Sequence, residues 1–331
     1  MALTLSHCSV AMVPVELLVP AEISIPRNIQ NVGIINHSMP TDRGRFSDLV
    51  EGFLTRESIF ADQIGADYCL KGLAEKLADS PRLTPVIIPS QRLTRSSVRS
   101  LPGMLSWDRV EQICQQYRVD ALIALEHFDS NIHLRKRRQE KRNKKDDSIR
   151  VTHRLKLFIQ VNSGWRIYHP STRSVIDAQI YSDEKTWSAS GKTLREARRR
   201  LPNKRDAINE AGLFSGIRYG ERISPTWVTI SRSYFTKGCP EFEIATRAVK
   251  VGDWQNAESL WKQVLENPDP KLRSRAAYNL AFAAEVQGDL ERALELARVA
   301  YSRYGSKKAF YYIQDLQTRI QNKEILREQM D

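Results

Sequence analysis

The chain has 331 residues, 41% of them hydrophobic, and a formal charge of +12 at pH 7. That length can bury one sizeable core and a smaller satellite, so two domains are expected. No apolar run approaches the roughly eighteen residues a membrane-spanning helix needs, which excludes that class, and the cationic excess points to an anionic partner.

At the N-terminus, Leu5-Ser6-His7-Cys8 has the leucine and cysteine spacing of a bacterial lipoprotein cleavage box. His7 stands where the box carries a small residue, and neither a basic start nor a full apolar run precedes it. One reading makes Cys8 an acylated terminus with residues 1–14 as a tether or signal remnant; the other is an ordinary N-terminal tail. Cys69, Cys114 and Cys239 are odd in number and form no CxxC, so they indicate neither a disulfide framework nor a zinc site. Cys69 and Cys114 fall on apolar helix faces and are expected to be buried free thiols.

Leu17 to Val19 and Val32 to Asn36 read as two extended segments that pair with each other. A helix over 59–79 follows, with Ala66, Leu70, Leu73 and Leu77 on one face, ended by Ser80-Pro81. Leu83 to Ile88 is a strand, and Trp107 to Tyr117 a helix with Val110, Ile113 and Cys114 inward. The unbroken apolar run over 119–126 marks a central strand buried on both faces. Strands alternating with helices predict crossover units.

Arg135 to Lys145 carries eight basic residues against Glu140 alone: Arg135, Lys136, Arg137, Arg138, Lys141, Arg142, Lys144 and Lys145. It reads as an exposed loop with no aromatic residue to stack, either a solvated hairpin connection or a contact for phosphates of lipid or nucleic acid. A β-meander is expected beyond it: Val151 to Val161, a turn at Ser163-Gly164, Trp165 to Tyr168, a turn at Pro170 to Thr172, and Val175 to Trp187, whose polar end leaves the sheet. Helices over 194–201 and 204–222 follow, the second burying Ala207, Ala211, Phe214, Ile217 and Tyr219. Thr226 to Phe235 is the last strand.

Gly252-Asp253 recurs as Gly288-Asp289 at an offset of 36 residues, each between two apolar-periodic segments. This is close to the period of tetratricopeptide units, in which glycine stops one helix and aspartate caps the next. Ile244, Ala245 and Ala248 precede the first copy and Ala257, Trp261 and Val264 follow it; Leu280, Ala281 and Ala284 precede the second, and Ala293, Ala297 and Ala300 follow. A terminal helix over 307–327 turns Ala309, Ile313, Leu316 and Ile320 inward. The fold class is therefore α+β: a mixed α/β sandwich domain with a β-meander over 15–238, then an all-α tetratricopeptide-like helical-repeat module over 239–331. Trp254, Trp261, Tyr278 and Phe282 are expected in its core, and Arg247, Lys250, Asn279 and Glu285 along a partner groove.

Signals for chemistry are sparse. Ser188 to Thr193 mimics the end of a phosphate loop, but Thr186 stands where the first glycine should be. No metal-ligand cluster or nucleophile elbow is present, and Asp120, Glu126 and Asp129 read as capping or solvated groups. No metal, cofactor or small-molecule substrate is indicated.

Val19-Pro20-Ala21-Glu22-Ile23 with Val32-Gly33-Ile34-Ile35-Asn36, the strand Asp120 to Glu126, and Tyr219 with Arg222 to Trp227 carry a resemblance. On these the chain resembles, along nearly its whole length, a family of uncharacterised envelope lipoproteins of anaerobic Gram-negative bacteria. The resemblance implies an N-terminal layout similar to the curli-assembly and penicillin-binding-protein-activator lipoproteins, and C-terminal tetratricopeptide-like repeats. The expected function is a non-enzymatic cell-envelope lipoprotein, periplasm-facing, whose repeats hold another envelope protein or peptide. The alternative is a cytoplasmic nucleic-acid-associated protein using the basic run.

Overall fold

The computed structural model describes residues 10–38, 55–89, 101, 103–142, 147 and 149–330. Its chain divides into two compact units, one spanning Ala21–Thr226 and one joining the segment up to Pro20 with Trp227 onward.

The first unit is a five-stranded mixed sheet. Its strands are β2 (Asn31–Asn36), β3 (Thr84–Ile88), β4 (Ala121–Arg142), β5 (Ile149–His169) and β6 (Ser174–Gly191), in the order β3-β2-β4-β5-β6. β2 pairs parallel with both β3 and β4. The two crossovers that parallel pairing demands are α1 (Thr55–Ala78) and α2 (Trp107–Tyr117). Apolar side chains of α1 and of α4 (Lys204–Ile223) share one core with Ile34, Ile123, Ile159 and Trp165, while α2 covers Ile35, Leu122, Ala124 and Tyr168 on the opposite face. A short helix, α3 (Leu194–Arg199), precedes α4.

The expected inward residues of α1 and α2 are buried, as are the Cys69 and Cys114 thiols. Burial pushes the Cys114 thiol up to about 12 and holds Cys69 higher still, so neither is a thiolate at neutral pH. In α4 the buried face differs from the expected one. Ala207, Ala211 and Tyr219 are buried, whereas Phe214 and Ile217 are only half-buried, because small residues let α4 approach α1 closely. A methyl added at Gly216 would lie 1.8 Å from the Cys69 carbonyl oxygen, and one at Gly212 would lie 2.3 Å from that of Gly65.

Three further expectations need correction. β4 does not end at residue 126: a bulge between Leu125 and His127 re-registers it, and it continues through the basic run to Arg142, paired antiparallel with β5 as far as Ile149. Ser163-Gly164 is no turn but lies within the unbroken β5, where the missing side chain is needed: a methyl at Gly164 would stand 2.8 Å from both His127 Cβ and Leu101 Cδ2. Ser182 to Trp187 stays in the sheet, paired with residues 157–162, and Ser188 to Gly191 continues the strand, so the first four residues of the phosphate-loop mimic are strand and not loop. Pro170–Thr172 does form the expected turn, as one turn of 3-10 helix.

In the second unit β1 (Val10–Val19) pairs with β7 (Thr226–Phe235). The expected pairing of β1 with β2 is therefore incorrect, and β1 and β7 group with the helices and not with the five-stranded sheet. Five helices follow: α5 (Pro240–Lys250), α6 (Trp254–Val264), α7 (Pro270–Val286), α8 (Leu290–Ser302) and α9 (Lys307–Met330). The turns 36 residues apart are built alike. Gly252 and Gly288 take φ of +79° and +85°, the left-handed region glycine enters freely. Asp253 N–H donates to the Ala248 carbonyl and Asp289 N–H to that of Ala284, at 2.9 and 3.0 Å. The same carboxylates cap the next helices, accepting from Asn256 N and Arg292 N at 3.1 and 3.0 Å. Trp261, Phe282 and Tyr278 are buried, and Trp254 packs edge-on against Phe282.

Candidate anion-binding face

The basic run becomes a site only through its partners across the sheet. Along β4, Arg135, Arg137 and Lys141 fall on one face, and Lys136, Arg138 and Arg142 on the other. Opposite Arg135 stands Lys156 and opposite Arg137 stands Arg154; β6 then places Ser188 beside Lys156 and Ser190 beside Arg154. Arg135, Arg137, Arg154 and Lys156 thus mark a rectangle whose sides, from strand geometry, are about 7 Å along the strands and about 5 Å across them.

All four side chains are exposed, and none has a carboxylate partner among the described residues. Like charges directly opposite across a strand pair destabilise it, so two such pairs in succession work against the sheet that holds them. Phe158 lies in the next row and is buried. Arg135 stands 4.8 Å from its ring centroid and Lys156 4.7 Å, so two cations cover the ring and keep it from stacking on a base. Ser188 and Ser190 complete the wall of a shallow cavity of about 710 Å³.

The other cations of the run are differently placed. Arg138 pairs with Glu140 at 2.7 Å and Arg142 with Asp147 at 2.5 Å, while Lys136 and Lys141 are exposed. Lys144 and Lys145 lie outside the described residues, as does Cys8. Sequence reading missed Arg154, Lys156 and Phe158. The available signal was alternation: in 151–161 the odd positions are mostly apolar, while 154 and 156 are cationic.

The carboxylates flanking the central strand are structural. Asp120 Oδ2 accepts from the backbone N–H of Gln30 and Asn31 at 2.9 and 2.8 Å, anchoring the start of β2. Glu126, buried at the bulge, pairs with Arg166 at 2.7 Å, accepts from the Tyr168 hydroxyl at 2.6 Å, and lies 3.9 Å from His37 Nδ1. Burial first, with Glu126 adding to it, raises the Tyr168 phenol to about 12. Asp129 accepts from Asn131 Nδ2 at 2.8 Å.

The expected partner groove of the helical unit does not form. Arg247 and Lys250 are exposed in the last turn of α5, but Asn279 and Glu285 face the interior. Asn279 mimics a strand neighbour: its Oδ1 accepts from Phe235 N at 2.9 Å and its Nδ2 donates to Phe235 O at 2.7 Å. Glu285 gathers Arg232 at 3.2 Å, Arg319 and the Tyr312 hydroxyl, while Arg232 also reaches Asp315 at 2.6 Å. Burial and then Glu285 push the Tyr312 phenol far above its ordinary value. Tyr301, Phe310 and Tyr311 are exposed instead, in ring contact at 5.6 and 5.4 Å. Among the described residues no group of three or more His, Cys, Asp or Glu could hold a metal, and no helix is long and apolar enough to cross a membrane.

Fold and face together define a mixed α/β module with a cationic sheet end. Residues 29–235 match Domain of unknown function (DUF8603), more than half of the chain, and the protein belongs to that family. Residues 243–318 match Domain of unknown function (DUF6340). No curated protein matches. Among solved structures, a neuraminyllactose-binding hemagglutinin homolog from Helicobacter pylori is 11% identical, with 61% of this chain and 87% of that chain covered and a TM-score of 0.27. A PelC variant from Paraburkholderia phytofirmans, solved as a dodecamer, is 9% identical, with coverages of 62% and 96% and a TM-score of 0.21. Likeness at this level carries no functional argument.

Proposed function

We propose that the chain is a non-enzymatic binding protein of the cell envelope whose sheet end takes the phosphate groups of an anionic membrane surface. The observation that carries this reading is the rectangle of Arg135, Arg137, Arg154 and Lys156, with cation set opposite cation and no acid between them. A compact cluster of this size matches one or two adjacent headgroup phosphates. Phe158, covered by its own cations, offers no platform for single-stranded nucleic acid. Near a surface of anionic lipid each cation contributes about 1 kcal/mol, so the four together contribute about 4 kcal/mol. Anchoring at Cys8 rests on the resemblance of its flanking residues to a lipoprotein box, and it would tether the chain to a bilayer. On this reading the helices are tetratricopeptide-like repeats that carry a protein partner, with Tyr301, Phe310 and Tyr311 as the contact types that dominate such interfaces.

The test is sedimentation with phosphatidylglycerol vesicles against phosphatidylcholine vesicles. Binding is expected only to the anionic vesicles at about 0.1 M salt, and to be lost near about 1 M, where screening is short-ranged. Arg135→Glu with Arg154→Glu should weaken it by roughly thirtyfold or more. Equal binding to both vesicle types would overturn the reading. So would a gel shift of duplex DNA that the double variant abolishes while anionic vesicles go unbound.

A further inference from the structure

The opposite face of the same strands carries a second cleft, of about 600 Å³, whose chemistry differs from that of the basic rectangle. Its floor is apolar, made by Ile132 and Leu134 of β4, Leu157 of β5 and Leu201 beyond α3. Its rim is cationic, with Arg195, Arg198 and Arg199 of α3 and Lys204 at the start of α4. Among the described residues no carboxylate lines it. The acids next to these cations in sequence are already engaged: Glu196 accepts from Arg200 at 2.6 Å and from Lys192 N at 2.8 Å, and Asp206 accepts from Asn203 Nδ2 at 2.7 Å. Arg195, Arg198, Arg199 and Lys204 are exposed and have no ion-pair partner among the described residues. Ile132 is 37% exposed, an apolar side chain left to water in the cleft that these cations line.

A solvated charged face explains the cations but not the exposed Ile132, and the packing of Leu134 and Leu201 against the core that holds Leu157 explains most of the floor but not the four cations without an ion-pair partner at its rim. One class of ligand satisfies both. We infer that the cleft binds a monomeric anionic amphiphile, with its hydrocarbon chain on Ile132, Leu134, Leu157 and Leu201 and its anionic head among Arg195, Arg198, Arg199 and Lys204. The volume lies within the range of small-ligand sites. The first turn of α4, a 20-residue helix with Asn203 as its cap, adds the partial positive charge of a helix N-terminus beside Lys204. Burial of a chain on the floor supplies affinity without direction, and the rim orients it and selects against neutral amphiphiles. This site is independent of the membrane-facing reading of the rectangle, because it takes a single molecule and not a surface.

The experiment is titration of the full chain with a fluorescent long-chain polyene carboxylate, kept below its micelle concentration, beside the matching alcohol. The carboxylate is expected to bind saturably, one per chain, and the alcohol at least roughly tenfold more weakly, a factor of ten being within reach of a few partly exposed ion pairs. Arg198→Glu with Arg199→Glu should remove the preference for the carboxylate, both residues being exposed on a short surface helix. Ile132→Glu should weaken both ligands by placing charge on the floor. Arg135→Glu with Arg154→Glu, on the other face, should leave both affinities unchanged, which separates failure of this site from failure of the rectangle. Equal affinity for the alcohol, binding only when the amphiphile sits in vesicles, or loss with the rectangle variant would each overturn the assignment. Circular dichroism of every variant confirms that the fold is retained.

Discussion

Two clusters of charge in this chain solve opposite problems. In the helical unit, Glu285 is completely buried and is met by Arg232, Arg319 and the Tyr312 hydroxyl, so its desolvation is offset by partners from β7 and α9. In the sheet unit, Arg135, Arg137, Arg154 and Lys156 stay in water, face one another and have no acid among the described residues. The first cluster holds elements together; the second works against the element that carries it. A buried charge that is matched says little about function, since packing alone requires the match. Exposed charge set opposite its own sign has no such match: the Phe158 ring meets Arg135 and Lys156 but no acid meets any of the four among the described residues, and the anionic partner is inferred from that mismatch.

The comparison breaks first at Glu285. Replacing it with Gln keeps the shape but leaves Arg232 and Arg319 without their shared carboxylate, and is expected to cost about 3 kcal/mol. A urea transition of the helical unit measures it. Combining Glu285→Leu with Arg232→Met should recover most of that loss, because an apolar pair removes the desolvation penalty with the charge. A loss under about 0.5 kcal/mol for Glu285→Gln would mean that the cluster is not structural.

Asp177 is intermediate between the two and sharpens the contrast. It is buried, but its close partners are hydroxyls: Tyr219 donates to Oδ2 at 2.8 Å, and Tyr181 lies 3.4 and 3.3 Å from the two oxygens. Burial therefore raises its carboxyl above the ordinary 3.8 despite those bonds and the attraction of Arg222. The folded state holds the proton more tightly than the unfolded chain does. The resulting contribution to stability is complete below the unfolded value near 3.8 and is lost as pH rises through the raised one. Asp177→Asn cannot titrate, so the wild-type chain should lose stability relative to this variant as pH rises from about 3 to about 7. A difference independent of pH would show that the hydroxyls fully compensate burial.

What was legible in the sequence was local. Gly252-Asp253 and Gly288-Asp289 announce their turns because stop and cap are adjacent residues, and the inward faces of α1 and α2 follow from helical spacing alone. What escaped depends on distant partners. The pairing of β1 with β7 joins segments separated by the whole of the five-stranded sheet unit, and nothing in Val10–Val19 names its neighbour. The basic run reads as a loop because charge runs are usually solvated; it is a strand because residues 149–156 pair with it. Asn279 and Glu285 look like surface residues by type, and only their hydrogen bonds and ion pair to the half-buried Phe235 and Arg232 turn them inward. The amphiphile cleft needed β4, β5 and the region after α3 to meet, a juxtaposition no spacing encodes.

The smallest expected effect is the one that decides most between the two clusters. Arg137 stands directly opposite Arg154 in the β4–β5 pair, and substitution to Glu replaces repulsion with attraction at the same two positions. Opposite-charge pairs across strands contribute about 0.2–1 kcal/mol, so Arg137→Glu should leave the sheet unit equally stable or a few tenths of a kcal/mol more stable. The same variant should lose affinity for anionic vesicles, since it removes one cation from the rectangle and neutralises a second. Stability and binding then move in opposite directions, which a purely structural cluster cannot do. Matched urea and vesicle titrations on one preparation read both quantities, and a destabilised variant with unchanged vesicle binding would return these cations to an architectural role.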